Sequence, residues 1–312
     1  MRFKLALVFV LLSAASLMIG AQSLSVAELL RPGQGWLVLS ASRVPRWSAL
    51  VLSGIGLAVC GVILQHIVRN KFVEPATAGG LDAAKLGILV ALTTLPVADV
   101  LSRLLFALLF CFVASLVFVL LVRRIRLSGT MLVPVIGLMY GGVLGAVAEY
   151  YAYQNNIMQS MQGWLLGDFS KVVQGHYEVI YLILPIVMVT YWYAHRFTIL
   201  GMGQAMANSL GLNYAWVVGL GLVLISMTVS VTVITVGAIP FVGLVIPNLI
   251  ALQAGDNLRQ TLPLVALSGA ILLLACDIVG RLIMYPFEVP IGLTAGVMGG
   301  ALFLVLILMR RR

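Results

Sequence analysis

The run AWVVGLGLVLISMTVSVTVITVG, residues 215–237, is followed almost at once by PFVGLVIPNLIALQ, residues 240–253. The first is uncharged and long enough to cross a hydrocarbon layer, which takes roughly 20 apolar residues in a helix. The second is too short for a straight span and contains Pro240 and Pro247. Irregular backbone is tolerated at membrane depth only where it is buried in protein or lines a cavity. The pair therefore reads as a full membrane helix followed by a broken one. The broken segment is either part of the wall of a path or a kinked packing helix.

Working outward from 215–253, eight further apolar segments can be read, at 4–21, 47–68, 78–97, 104–122, 131–153, 176–194, 262–284 and 290–309. The composition agrees: 62% of the 312 residues are hydrophobic and 9% are charged, against about 25% charged in soluble chains. Ten spans use nearly the whole length, so residues 1–312 read as one all-α transmembrane domain with no room for a soluble one. Residues 2–21, with Arg2 and Lys4 ahead of an apolar stretch, resemble a signal peptide. The charge balance favours an uncleaved first span.

The net charge of +9 does not read as a nucleic-acid surface, because the 19 Lys and Arg are scattered over short connections. With the N-terminus inside, twelve fall on the inner side: Arg2, Lys4, Arg69, Lys71, Arg123, Arg124, Arg126, Arg196, Arg259, Arg310, Arg311 and Arg312. Six fall outside: Arg31, Arg43, Arg46, Arg103, Lys171 and Arg281; Lys85 lies within a span. This bias is the positive-inside pattern and places both termini in the cytoplasm.

Cys60, Cys111 and Cys276, and likewise His66, His176 and His195, are scattered without metal-ligand spacing. No phosphate-binding loop, zinc-protease motif or nucleophile elbow is present. Energy for any uphill movement must come from another subunit or from an ion gradient. Charges in or near spans (Asp82, Lys85, Glu149, Asp277 and Arg281) are functional candidates by default. Asp82 with Lys85, and Asp277 with Arg281, are three and four residues apart and can neutralise each other on one helix face; a proton relay is the alternative. Two glycine stripes, Gly137-Gly141-Gly145 and Gly292-Gly296-Gly300, predict close helix packing within the chain.

Several motifs, in order along the chain, resemble the FecCD type of permease, which serves iron-siderophore and cobalamin importers of the ATP-binding-cassette class. They are Arg43-Val-Pro-Arg46, the glycine-rich Ser53–Gly61 followed by Gln65, Arg69-Asn-Lys-Phe-Val-Glu-Pro75, Trp164-Leu-Leu-Gly167, Leu200–Leu212, Gly237–Pro247, Asp277-Ile-Val-Gly-Arg281 and Glu288-Val-Pro-Ile-Gly292. Two departures stand out: Asn70-Lys71-Phe72 where the family has Asn-Pro-Leu, and Pro247-Asn248 where it has Pro-His, with no Arg near Ala251. The Asn-Lys-Phe version resembles a subgroup serving catecholate siderophores.

The resemblance implies about ten transmembrane helices in a bacterial inner membrane. It implies no catalytic residue, cofactor or metal site, since ATP hydrolysis belongs to separate ATPase subunits. Further partners are a periplasmic or lipid-anchored substrate-binding protein, a second permease chain, identical or not, and the membrane lipid. Arg43, Arg46 and Arg281 would dock carboxylates of the binding protein. Leu200, Gly201, Gly203, Gln204, Asn208, Leu210 and Gly211 would form the loop coupled to the ATPase. Gln65, Phe241, Pro247 and Asn248 would lie on the translocation path. Rival readings are the same machine with haem or cobalamin as cargo, and a proton-coupled carrier using Asp82, Glu149 or Asp277.

Overall fold

The computed structural model describes residues 2–20, 34–124, 132–175 and 177–310. Arg31, Arg126, His176, Arg311 and Arg312 lie outside the described residues, as do the side chains of Trp164, Leu165 and Arg310. Among the described residues there is no strand, and each of the ten apolar segments contains a helix. Six are long and apolar enough to cross a membrane.

Helix α1 is Arg2–Met18. A helical run Gly35–Val68 follows. Its first part passes through a π-helical turn, Leu39–Arg43, into α2, Val44–Val68. Then come α3, Gly80–Thr94, α4, Val100–Arg124, and α5, Leu132–Gln154. The short α6 is Met158–Leu165. The sixth apolar segment is a 3₁₀ turn, Glu178–Leu182, leading into α7, Ile183–Trp192. The chain then bends by 62° into α8, Ala194–Gly201. Helix α9, Gln204–Ser209, is followed by α10, Tyr214–Val236. The last three are α11, Val242–Ala254, α12, Leu258–Ile283, and α13, Ile291–Arg310.

Burial ranks these helices. In the most apolar window of the Gly35–Val68 run 83% of residues are buried, whereas the figure is 28% for both α5 and α13. Helix α2 is therefore the axis, with α10, α11 and α12 packed around it. In lipid, apolar side chains alone give little drive for helix association, so close backbone approach matters. A Cβ on Gly54 would lie 2.7 Å from the carbonyl carbon of Gly269, which is where α2 and α12 cross. A Cβ on Gly61 would collide similarly with Gly243 of α11.

The connection between α2 and α3 does not stay at the surface. Thr77 sits against Gly137 of α5, and Gly79 against Gly141. Helix α3 thus starts partway along α5, which explains its 15 residues. The first glycine stripe receives this re-entrant segment. Its last member, Gly145, faces the Asp82 carboxylate, which pairs with Lys85 Nζ at 3.0 Å. The second stripe behaves differently. Gly292 packs on Leu166 and Ala238, but Gly296 and Gly300 face open space. Sequence spacing alone could not separate these two cases.

Candidate functional site: two ends and a broken helix

At one end of the bundle, Arg43, Arg46 and Arg281 are brought together and buried, with relative exposures of 7%, 9% and 6%. Arg46 donates from Nε and Nη2 to Asp277 Oδ1, at 3.1 and 2.7 Å, and from Nη1 to Glu288 Oε2 at 2.6 Å. Arg281 pairs with the other oxygen of Asp277. Asp277 is fully buried and is shared between two guanidinium groups. A buried charge is tolerated only when paired and hydrogen-bonded in this way.

Other donors of Arg43 and Arg281 close on α1, whereas Arg281 Nε is buried without a hydrogen bond. Its last carbonyls have no helical partner. Arg43 Nη1 donates to Leu17 O at 2.7 Å and to Met18 O at 2.9 Å. Arg281 Nη1 donates to Ser16 O at 3.1 Å and to Ile19 O at 2.6 Å. Positive charge at a helix C-terminus also complements the helix dipole. The three arginines are thus a clasp holding α1, α2 and α12 together, and their guanidinium groups point inward. Glu288 is the partner that remains partly exposed, at 29% for its side chain.

At the other end, the predicted Leu200–Leu212 loop folds as the end of α8, a Gly203 turn with φ of 106°, and α9. Leu200, Gly203 and Ala207 are buried and anchor it, while Gln204, Asn208 and Gly211 are exposed. Met202, Met206 and Leu210 are 57%, 49% and 55% exposed. These three recur every fourth residue; Leu210 was among the predicted loop residues, whereas Met202 and Met206 were not, although their spacing is visible in the sequence. Gly201 rests on the His66 ring and Gly203 on the Arg69 guanidinium, both at the end of α2. Leu258 N donates to Thr198 Oγ1 at 3.2 Å, joining α8 to the start of α12. Helix α8 and the Gly203 turn thus touch the end of α2 and the start of α12.

Between the ends, Gln65, Phe241, Pro247 and Asn248 gather around the start of α11. Pro247 has no N–H, so the Gly243 carbonyl, four residues earlier, loses its helical donor. Gln65 Nε2 of α2 supplies one at 3.2 Å. Phe241 has a left-handed backbone, φ of 68°, and its N–H donates to Glu74 Oε1 at 3.0 Å. Asn248 Nδ2 donates to Leu244 O at 2.7 Å and to Lys71 O at 2.6 Å. The two departures from the family pattern, at Lys71 and Asn248, thus touch each other. Lys71 Nζ in turn holds both oxygens of Asp256, at 2.8 and 2.9 Å.

The sequence profile of the FecCD transport family matches residues 6–310, nearly the whole described chain. The chain belongs to the FecCD transport family. Among FecCD relatives, the ferric-anguibactin transport system permease protein FatD of Vibrio anguillarum is 60% identical over 309 residues, spanning 99% of this chain and 98% of that protein. The petrobactin import system permease protein YclN of Bacillus subtilis is 41% identical over 306 residues, spanning 98% and 97%. A solved structure of a metal-chelate type ABC transporter in an inward-facing conformation superposes with a TM-score of 0.82 at 27% identity, covering 98% of both chains. The FecCD fold therefore extends over the chain from α1 to α13, and the protein is a multi-pass bacterial membrane protein.

Proposed function

We propose that this chain is the permease subunit of an ATP-binding-cassette importer that carries a ferric siderophore, of catecholate type, across the bacterial inner membrane. The reading takes residues 1–312 as one permease domain with both termini cytoplasmic, which the distribution of Lys and Arg supports. The cargo class rests on the 60% identity to a ferric-anguibactin permease over essentially the full length of both chains. ATP hydrolysis belongs to separate ATPase subunits, which meet the loop through α9. The exposed stripe Met202, Met206 and Leu210 is what supports that contact, because contiguous exposed apolar side chains at an aqueous end mark a partner surface.

The path runs between two permease chains, along the broken helix α11 with Gln65, Phe241, Pro247 and Asn248 near its wall. The Arg46 end faces the substrate-binding protein. Because Arg43 and Arg281 are engaged on α1, Arg46 is the docking guanidinium, and a carboxylate of the binding protein exchanges with Glu288. Of the three carboxylates that a proton-driven carrier would use, two are held by cations, and Glu149 is exposed. Asp277 lies between two arginines and Asp82 is paired with Lys85.

Reconstitution of the assembled transporter in proteoliposomes, with loaded binding protein outside, tests the proposal. Labelled ferric siderophore should enter with internal ATP and not with a non-hydrolysable analogue. Uptake that ignores ATP and follows a pH gradient overturns it.

A further inference from the structure

Helix α11 starts among buried residues without a cap of its own. Residues 237–241 are unwound between α10 and α11. The first N–H groups of a helix have no partner within it, and the residue just before the helix usually supplies a side-chain oxygen. Here that residue is Phe241, which has no such oxygen. Its backbone is left-handed, with φ of 68° and ψ of −18°, a conformation that glycine takes freely and an aromatic residue seldom does. An outlier of this kind persists only where its surroundings over-determine it.

Glu74 determines it on one side. Its Oε1 accepts from Phe241 N at 3.0 Å, and the Gly243 and Leu244 amides also face the carboxylate. A Cβ on Gly243 would lie 3.4 Å from Oε2. Glu74 is 3% exposed and forms no ion pair among the described residues. A buried carboxylate needs compensation, and the amides and partial positive charge of the α11 start supply it. The cap thus comes from 167 residues away in the chain. Glu74 is itself tied down. Its N–H donates to Thr77 Oγ1 at 3.1 Å, and Ala78 N donates to Glu74 O at 3.0 Å. Thr77 in turn sits against Gly137 of α5. On the other side, the Phe241 side chain lies on α13, where a Cβ on Gly299 would come within 2.5 Å of Phe241 Cβ.

We infer that Glu74 is a positioning residue for transport, which fixes the start of α11, and with it the Phe241 side chain, against α13. A site that only had to fill space would hold an apolar side chain at position 74, with no charge to bury, and a glycine at 241. The contacts run without a break from α5 through Thr77, Glu74 and Phe241 to α13. Helices α5 and α13 are the least buried of the long spans, so the clamp joins two helices that the rest of the chain covers little. The inference rests on the reading of the chain as a permease with Phe241 near the wall of its path.

The assembled transporter in proteoliposomes, with loaded binding protein outside, tests it by measuring uptake and ATP hydrolysis together. Glu74→Gln keeps the size of the side chain but turns one acceptor into an N–H donor facing the helix amides. Uptake per ATP hydrolysed should fall about tenfold, while hydrolysis stimulated by the binding protein stays within about twofold of wild type. The half-saturating concentration of binding protein should not move, because docking lies at the Arg46 end. Glu74→Asp, which keeps both acceptor oxygens, should retain more uptake than Glu74→Gln. Uptake and hydrolysis falling together, no change in either, or Glu74→Asp faring no better than Glu74→Gln overturns the inference. Hydrogen exchange in the wild-type assembly needs no variant. The Phe241 and Gly243 amides should exchange as slowly as those in the body of α11, and exchange at the rate of the surface connections overturns the clamp. If wild-type uptake proves independent of ATP, the permease reading fails, and the exchange measurement still decides whether Glu74 holds the start of α11.

Discussion

The two ends of the bundle handle charge in opposite ways. At the Arg46 end three guanidinium groups, two carboxylates and the last carbonyls of α1 satisfy one another, and little is left over. At the α8–α9 end Met202, Met206 and Leu210 are exposed, and Arg69 forms no ion pair among the described residues. A closed network holds a shape before any partner arrives. An open surface is completed by a partner. The comparison suggests that the first end supplies a rigid platform for docking and that the second is where movement enters.

The largest effect should come from opening the closed end. Asp277→Ala leaves two buried arginines without their shared counter-charge, and breaking a buried ion pair typically costs about 3–5 kcal/mol. Denaturant titration of the purified chain should show a loss of that size and release of α1. A change below ~1 kcal/mol would mean that the clasp does not hold the fold. Next comes the middle of the molecule. Gln65→Leu strands the Gly243 carbonyl, and an unsatisfied buried acceptor costs about 1–3 kcal/mol. The same titration reads it.

At the open end, Met206→Glu should lower ATP-driven uptake at least about tenfold, or ~1.4 kcal/mol. Stability of the chain should stay within about 0.5 kcal/mol, as for other exposed positions. Undiminished uptake would remove the stripe as a coupling surface. The smallest effect is expected from Glu288→Gln, which trims the exposed edge of the closed network. A partly exposed ion pair contributes up to about 1 kcal/mol. Freeing Arg46 should change the docking rate of the binding protein a few-fold at low salt and hardly at high salt. An equal effect at both salt concentrations would show that docking does not use Arg46. Charge reversal of Arg46 itself is a poorer probe, because it would set a carboxylate beside Asp277.

Local spacing was legible in the sequence, and long-range closure was not. The apolar runs marked every membrane helix, and the three- and four-residue intervals marked the Asp82–Lys85 and Asp277–Arg281 pairs. Pro240 and Pro247 marked the broken helix, since proline removes a donor wherever it stands. By contrast, Arg46 meets Asp277 across 231 residues and Gln65 meets Gly243 across 178, and no periodicity carries such information. The family resemblance gave Arg43, Arg46 and Arg281 a docking role at the outer end, and in the structure their guanidinium groups turn inward. The inward turn of Arg43 and Arg281 is set by the end of α1, whose free carbonyls no composition reveals, and that of Arg46 by Asp277. The bend after Trp192 was equally hidden, as neither glycine nor proline marks Tyr193-Ala194.

The bond between Gln65 and Gly243 has a genetic consequence. Pro247 created a vacancy in one helix, and a residue of another helix fills it, so the two positions behave as a single heritable trait. A change at Gln65 alone should be harmful. Pro247→Ala, by returning a helical donor to the same carbonyl, should act as its suppressor, so that lineages losing one of these residues would be free to lose the other.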